Sequence, residues 1–524
     1  MSREYLLTPL ADQLDALFGQ YTAANQARGL VYGLIGPSGL VHSAGFGEAD
    51  DAGATPDLDT VFPIASMTKS FVACAALLAR DRGLVNLDAP ITDFVDSFSA
   101  RDTFDDPCEA PTLRMLLSMS GGLTEDNSWV DPFIGTGVDE LLATVSNGLY
   151  YSNLPGTAYE YSNLGYTLAG LAIGRAAGRR IEDWVRDELL EPLGLHATRF
   201  DNDPAMTSGV RRATGYSLDG DGRWVGYPPA TSDAFAAAGG ICSTVRDLAT
   251  WVTWLGSAFR PPTQPDNPVV RRASRREMQR LHQLYLPALA TRPDGGVKIS
   301  VGGYGLGLGI AEDLRRGTIV SHSGGLPGFV LNMVWHPDSG HGIVVLTNSH
   351  RGNPVALSEE ALFRVLDRQQ TPARTIRLWP ATRDLQRQAE SLIRSWDDQL
   401  AAQILAPNID FDRPLAERRA DIQRLIEQVG PLCAPPSDAD PVPDIVSATS
   451  SADVTWAIPA ARGELICMIH LTPAAPPQIQ ELEVTCAPYG TPRSARPTDI
   501  SPRRSAFGPG SMSSLPNTGV EWSR

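Results

Sequence analysis

Lys69 follows Ser66 by three positions, in Ser66-Met67-Thr68-Lys69, and shares with Lys298 the distinction of being lysine in a chain with 44 lysines and arginines. Every other cation in that total is an arginine, which keeps its proton inside a protein. A desolvated lysine can release its proton and serve as a base. Positions i and i+3 share a helix face, so the Lys69 amine can reach the Ser66 hydroxyl. That pairing is one recipe for an activated oxygen nucleophile.

Ser-x-x-Lys spacing is unspecific by itself, and the frame around it carries more weight. Phe62-Pro63-Ile64-Ala65 forms a short apolar run before it, and Ser70 to Arg82 reads as a largely apolar helix ended by Gly83. Ser66 therefore falls at the first turn of a buried helix. Free N–H groups and the helix dipole there favour a developing oxyanion.

Two further segments hold groups suited to the same chemistry. In Tyr161-Ser162-Asn163, a phenol beside an ammonium ionises more easily, so Tyr161 could deprotonate Ser66 and return the proton to a leaving group. The Asn163 amide has a donor and an acceptor with which to orient Lys69 or a substrate. In His322-Ser323-Gly324-Gly325, at a strand end, glycines let backbone approach a substrate closely. The Gly325 and Ser66 N–H groups could form a two-donor oxyanion hole, and His322 could bond Tyr161 or a substrate carboxylate. Trp129, Tyr150 and Tyr151 flank these segments, either as the lining of a dry acyl pocket or as core aromatics.

Taken together, in this order, the three segments resemble those of the serine β-lactamase and penicillin-binding-protein superfamily, in particular its class C-like esterase and D-aminopeptidase branch. The resemblance covers about residues 10–370 and extends to LLSMSGGL, PGTAYEYSNLGY, AAGGICST and YGLGLGI. It implies Ser66 as nucleophile, Lys69 and Tyr161 as the proton-transfer pair, and Asn163 as orienting group. His322 and Gly324 then occupy the third motif, and Gly325 supplies an oxyanion donor. His322 stands where β-lactamases and transpeptidases carry a carboxylate-holding lysine, which points away from β-lactam turnover. The expected activity is hydrolysis of a small ester or amide without any cofactor. The alternative is transfer of the same acyl group to an amine or alcohol, as in a peptide cyclase. A non-catalytic penicillin-binding-like scaffold ranks below both.

The elements that must position these residues read as helix, hairpin, Ser66 helix, a mostly helical stretch to about residue 200, and then closely spaced strands between residues 304 and 348. This is an α/β domain over residues 1–372, an antiparallel sheet flanked by helices with a helical subdomain. Ala236 to Thr244 and Tyr304 to Ala311 read as strands. Residues 380–490, helices followed by strands, suggest a smaller α+β domain of cystatin-like shape, and the Pro-, Ser- and Gly-rich residues 491–524 a disordered tail. The net charge of −16 offers nucleic acid or an anionic membrane no basic surface. No membrane-spanning run, no metal-ligand cluster and no Cys-x-x-Cys is present, and the N-terminal residues read as an amphipathic helix rather than a secretion signal. A cytoplasmic enzyme is the expectation.

Overall fold

A computed structural model of the chain describes residues 8–101, 108–206, 210–229, 231–261, 269–285, 288–291, 297–313, 315–371, 376–434 and 445–487. The chain divides into two compact units, Met1–Arg374 and Thr375–Arg524. The expected tail, 491–524, lies outside the described residues.

The first unit is built on one antiparallel sheet. Its strands are β1 (Gly29–Gly36), β2 (Gly39–Gly47), β3 (Gln283–Leu284), β4 (Ala288–Thr291), β5 (Val297–Tyr304), β6 (Gly309–Asp313), β7 (Gly317–Leu326), β8 (Phe329–His336) and β9 (His341–Thr347). They run in the order β3-β5-β6-β7-β8-β9-β1-β2, with β4 paired to β5. The N-terminal hairpin thus closes against the last strand, Leu30 facing Thr347. Position inside the sheet explains why β1 is apolar almost throughout: all eight of its residues are buried.

Helices cover both faces. On one, α1 (Thr8–Ala23) buries Leu10, Leu14 and Phe18, which recur at helical spacing. Phe18 stacks on Tyr32 of β1 with ring centroids 4.1 Å apart. On the other face lie α2 (Thr68–Asp81), α3 (Asn163–Ala177) and α4 (Val245–Gly256), whereas the last helix of the unit, α5 (Pro354–Arg368), packs beside α1. Thr244 caps α4 by accepting from the Asp247 N–H, and Trp251 on that helix stacks on Phe71 of α2 at 4.1 Å.

Two sequence expectations need correction. The Ala236–Thr244 segment is a helical turn over Ala236–Gly239, and only Ile241–Ser243 is strand, since alanine favours helix. Tyr304 to Ala311 is two strands joined by a tight turn. There Gly307 takes φ +72°, and a Cβ on it would lie 2.5 Å from the Lys69 carbonyl oxygen. The alternating glycines resemble a strand in sequence, yet Gly307 serves close approach to α2 and Gly305 close approach to the Met278 carbonyl.

The second unit has helices α6 (Pro380–Arg394), α7 (Asp398–Ile404), α8 (Asn408–Asp412) and α9 (Leu415–Val429), followed by strands β10 (Ile445–Ser447), β11 (Asp453–Ala460), β12 (Gly463–Leu471) and β13 (Ile479–Ala487). The strands form one antiparallel sheet in sequence order. Burial alternates strictly along β12, so one face packs on the helices of this unit. Among the described residues no helix is long and apolar enough to cross a membrane.

Candidate active site

Ser66 sits on a short 3-10 turn, Ala65–Met67, immediately before α2. The turn is pinned from both sides. The Ile64 N–H donates to the Ile241 carbonyl at 2.8 Å, and Thr68 Oγ1 accepts from the Ile241 N–H at 3.1 Å. Ala65 is held at φ +48°, a left-handed conformation costing about 1 kcal/mol for a residue with a Cβ. The cost falls on the residue that aims the serine. Ser66 itself is half-buried on a cavity wall, while the residues on either side of it are buried.

Lys69, one helical turn on, is fully buried. Its Nζ donates to Ser66 Oγ at 3.0 Å, Asn163 Oδ1 at 2.7 Å and the Ala238 carbonyl at 2.8 Å. Burial pulls its pKa down to about 7, an effect opposed by the negative charge of Asp126. The three partners decide where the lone pair goes once the proton leaves. A carbonyl and an amide oxygen have no proton to offer, so the neutral amine spends its two N–H bonds on them. Its lone pair then faces the Ser66 hydroxyl. The small residues of α3 make this nest possible, because a Cβ on Gly170 would come within 2.4 Å of Ala237 Cβ, next to the Ala238 carbonyl.

Tyr161 lies beside the Ser66 side chain, and its ring centroid lies 4.9 Å from Lys69 Nζ. Burial pushes its pKa up, and Ser66 offsets this only in part. The expected easy ionisation is therefore corrected: Tyr161 stays a neutral phenol, because desolvation outweighs the influence of Ser66 and the negative charge of Asp126 adds to it. His322 departs from expectation too. Its Nδ1 lies 2.6 Å from the Ser323 carbonyl and so carries the proton, leaving Nε2 to accept from the Tyr304 hydroxyl at 2.8 Å. It bonds Tyr304, not Tyr161. Burial and then Lys69 hold its pKa down to about 3, so it stands as a neutral ring rather than a cation for a carboxylate.

Gly324 presses β7 against the serine turn, since a Cβ there would meet the Ile64 carbonyl oxygen at 2.2 Å. Pairing with β6 ends at Ser321, which leaves this end of β7 free of that neighbour. A Cβ on Gly325 would meet only open space, and the residue lines the cavity with Ser66.

The cavity measures about 1330 Å³. Trp129, Tyr150 and Tyr151 do not line it. Trp129 packs on Phe133 and Phe235, Tyr150 is exposed beneath Arg101, and Tyr151 belongs to the hydrophobic core. Its aromatic wall is instead Tyr159, Tyr285 and Tyr304, joined edge-on by Tyr159 and Tyr285 at 4.5 Å, with Tyr227, Phe235 and Phe329 elsewhere. Sequence reasoning also missed Asp126, whose carboxylate is buried and accepts from Ser162 Oγ, the N–H groups of Asn163 and Leu164, and Asn163 Nδ2. The one available signal was an Asp-Asn pair just after the Gly-Gly of LLSMSGGL. Nothing in it specified a contact to residue 163. Among the described residues no group of three or more His, Cys, Asp or Glu side chains could hold a metal ion.

An antiparallel sheet flanked by helices, with Ser-x-x-Lys at the start of a buried helix, Tyr-x-Asn at the start of a second and His-x-Gly on the facing strand, defines a serine β-lactamase and penicillin-binding-protein-like fold. A family model described as Beta-lactamase matches residues 14–365, and the chain belongs to that family. A penicillin-binding protein of Bacillus subtilis (strain 168) is 24% identical over 350 residues, 64% of this chain and 71% of the relative. Beta-lactamase-like protein 4 of Dictyostelium discoideum is 26% identical over 258 residues, spanning 46% of this chain and 44% of its own. Among solved structures, an octameric penicillin-binding protein homologue from Pyrococcus abyssi superposes with a TM-score of 0.59 at 19% identity, over 88% of this chain and 96% of the other. A class C β-lactamase from Rhodobacter sphaeroides gives 0.51 at 19% identity, over 67% and 99%.

Proposed function

We propose that the protein is a serine hydrolase that forms an acyl-enzyme on Ser66 from a small ester or amide. The observation that carries this reading is the Lys69 amine, buried, brought to a pKa of about 7, and left with a single direction for its lone pair. In the first step Lys69 takes the Ser66 proton while Oγ bonds to the substrate carbonyl carbon. The carbonyl oxygen becomes an oxyanion between the N–H groups of Ser66 and Gly325. Tyr161, a neutral phenol beside Ser66, relays the proton from Lys69 to the departing alcohol or amine as the scissile bond breaks. Water then enters by the same route and releases the acid. Neutral His322 provides no permanent cation for a substrate carboxylate, which favours esters and amides over β-lactams.

One observation favours a second reading, transfer of the acyl group to an amine or alcohol. The cavity of about 1330 Å³ exceeds the ~300–1,000 Å³ of an ordinary small-molecule site, leaving room for an acceptor beside the acyl group. A p-nitrophenyl ester series tests both. A burst of chromophore with the wild type and none with Ser66→Ala is the expected result, and equal release by the two proteins overturns the acyl-enzyme. Turnover that rises with added amine, with the amide as product, selects transfer over hydrolysis.

A further inference from the structure

Asn163 can serve Lys69 only in one orientation. With the amide turned over, Nδ2 would face the ammonium and the lysine would lose an acceptor. The orientation is fixed on the other side of the amide. Nδ2 donates to Asp126 Oδ1 at 3.0 Å and to Asn127 Oδ1 at 2.9 Å, and Asp126 Oδ1 also accepts from the Asn163 N–H at 2.7 Å. Asp126 Oδ2 accepts from the Leu164 N–H at 2.8 Å and from Ser162 Oγ at 3.1 Å. All four groups around this carboxylate are donors, so only an ionised acceptor suits the position. Asp126 is not among the cavity-lining residues, so substrate does not reach it.

We propose that Asp126 is a positioning residue for the acylation reaction: its carboxylate locks the Asn163 amide so that the Lys69 lone pair has only Ser66 to face, and its charge, one amide away, sets how readily Lys69 gives up its proton. This rests on the serine-acylation reading for its consequence but not for its test. The bland role for the same contacts is capping of α3, whose first N–H groups Asp126 and Ser162 satisfy. The other titratable groups facing Lys69 are Tyr161, Tyr166 and His322. Burial keeps all three neutral around pH 7, so Asp126 is the charged one.

The two lysines make a direct measurement possible. Protein enriched with [13Cε]lysine gives two signals, assigned with Lys298→Arg, and the Lys69 signal is followed through a pH titration. Wild type titrates near 7, and Asp126→Asn and Asp126→Ser, the second keeping a helix-capping oxygen, move that midpoint down by about 1 pH unit. Both also slow Ser66 acylation roughly 30-fold. Ser162→Ala, which weakens the cap but spares the amide contacts, leaves the midpoint in place. A Lys69 midpoint unmoved in Asp126→Ser reduces Asp126 to a cap and overturns the proposal. If the midpoint moves as stated while no ester acylates wild-type Ser66, the charge coupling stands and the hydrolase reading is what fails.

Discussion

The two ends of α2 solve the problem of a cation near the core in opposite ways. At its start Lys69 is fully buried and touches three neutral oxygens. Near its end Arg80 meets two carboxylates, Asp81 at 3.0 Å and Glu277 at 2.5 Å, and Glu277 also holds Arg114 at 3.0 Å. Burial pulls both cations toward neutrality. At Arg80 the bonds to Glu277 and Asp81 outweigh it and the pKa rises, whereas at Lys69 one indirect carboxylate does not and the pKa falls. Residue type and partner charge together decide whether a buried cation is a brace or a base. One helix carries both.

Exchanging the chemistry at the first end gives the largest effect. Lys69→Arg keeps charge and approximate length but cannot deprotonate, so single-turnover acylation of Ser66 falls by about 10³-fold. An arginine enzyme acylating at wild-type speed would remove Lys69 as the base. Tyr161→Phe keeps the ring that stands edge-on to Tyr304 at 6.5 Å and removes only the hydroxyl. Acylation slows roughly 100-fold, with the largest loss for amides, whose leaving group most needs a proton. A uniform loss for activated esters and amides alike would count against the relay.

The same contrast has a pH signature. Lys69 holds its proton below about 7, where it is no base, so kcat/KM drops about tenfold for each pH unit below that limb and levels above it. His322, held near 3, adds no second limb in this range. A limb at the ordinary lysine value, with a flat profile around neutrality, would show that burial does not lower Lys69 enough to matter.

How much of this could be read in advance differs between local and non-local features. Ser66, Lys69, Tyr161 and Asn163 stand in two short motifs, the first spaced by helix geometry, and the structure brings the four side chains together. The apolar hairpin and the closing strands were legible from composition and alternation. The partner of His322 was not, because Tyr304 and His322 lie on β5 and β7 and meet only across the intervening β6. Asp126 stayed hidden for the same reason: its contacts to Ser162, Asn163 and Leu164 depend on how its loop folds against the start of α3. The ionisation of Tyr161 was misjudged because a sequence shows a neighbouring charge more readily than it shows burial. Trp129, Tyr150 and Tyr151 were placed by proximity along the chain, which says little about which way a loop faces.

The smallest effect belongs to the braced end of α2, and it acts on stability alone. Glu277 bridges Arg80 and Arg114 with each side chain roughly three-quarters buried, so Glu277→Gln removes the shared carboxylate and leaves Arg80 to Asp81 and Arg114 to Asp88. Stability at pH 7 falls by about 2 kcal/mol, measured by urea unfolding, with the Lys69-governed acylation rate unchanged. The sign of the pH dependence follows from the Glu277 pKa. Burial raises it, but the bonds from Arg80 and Arg114 prevail and hold it below the ordinary glutamate value. A carboxyl depressed in the folded state stabilises above its unfolded pKa, about 4.3, and loses that contribution as pH falls through the folded value. Wild type and Glu277→Gln therefore converge in stability only as pH falls below the depressed folded value of Glu277. A variant that loses acylation as well as stability would mean that the brace and the base are mechanically linked along the helix, and that the division between its two ends is false.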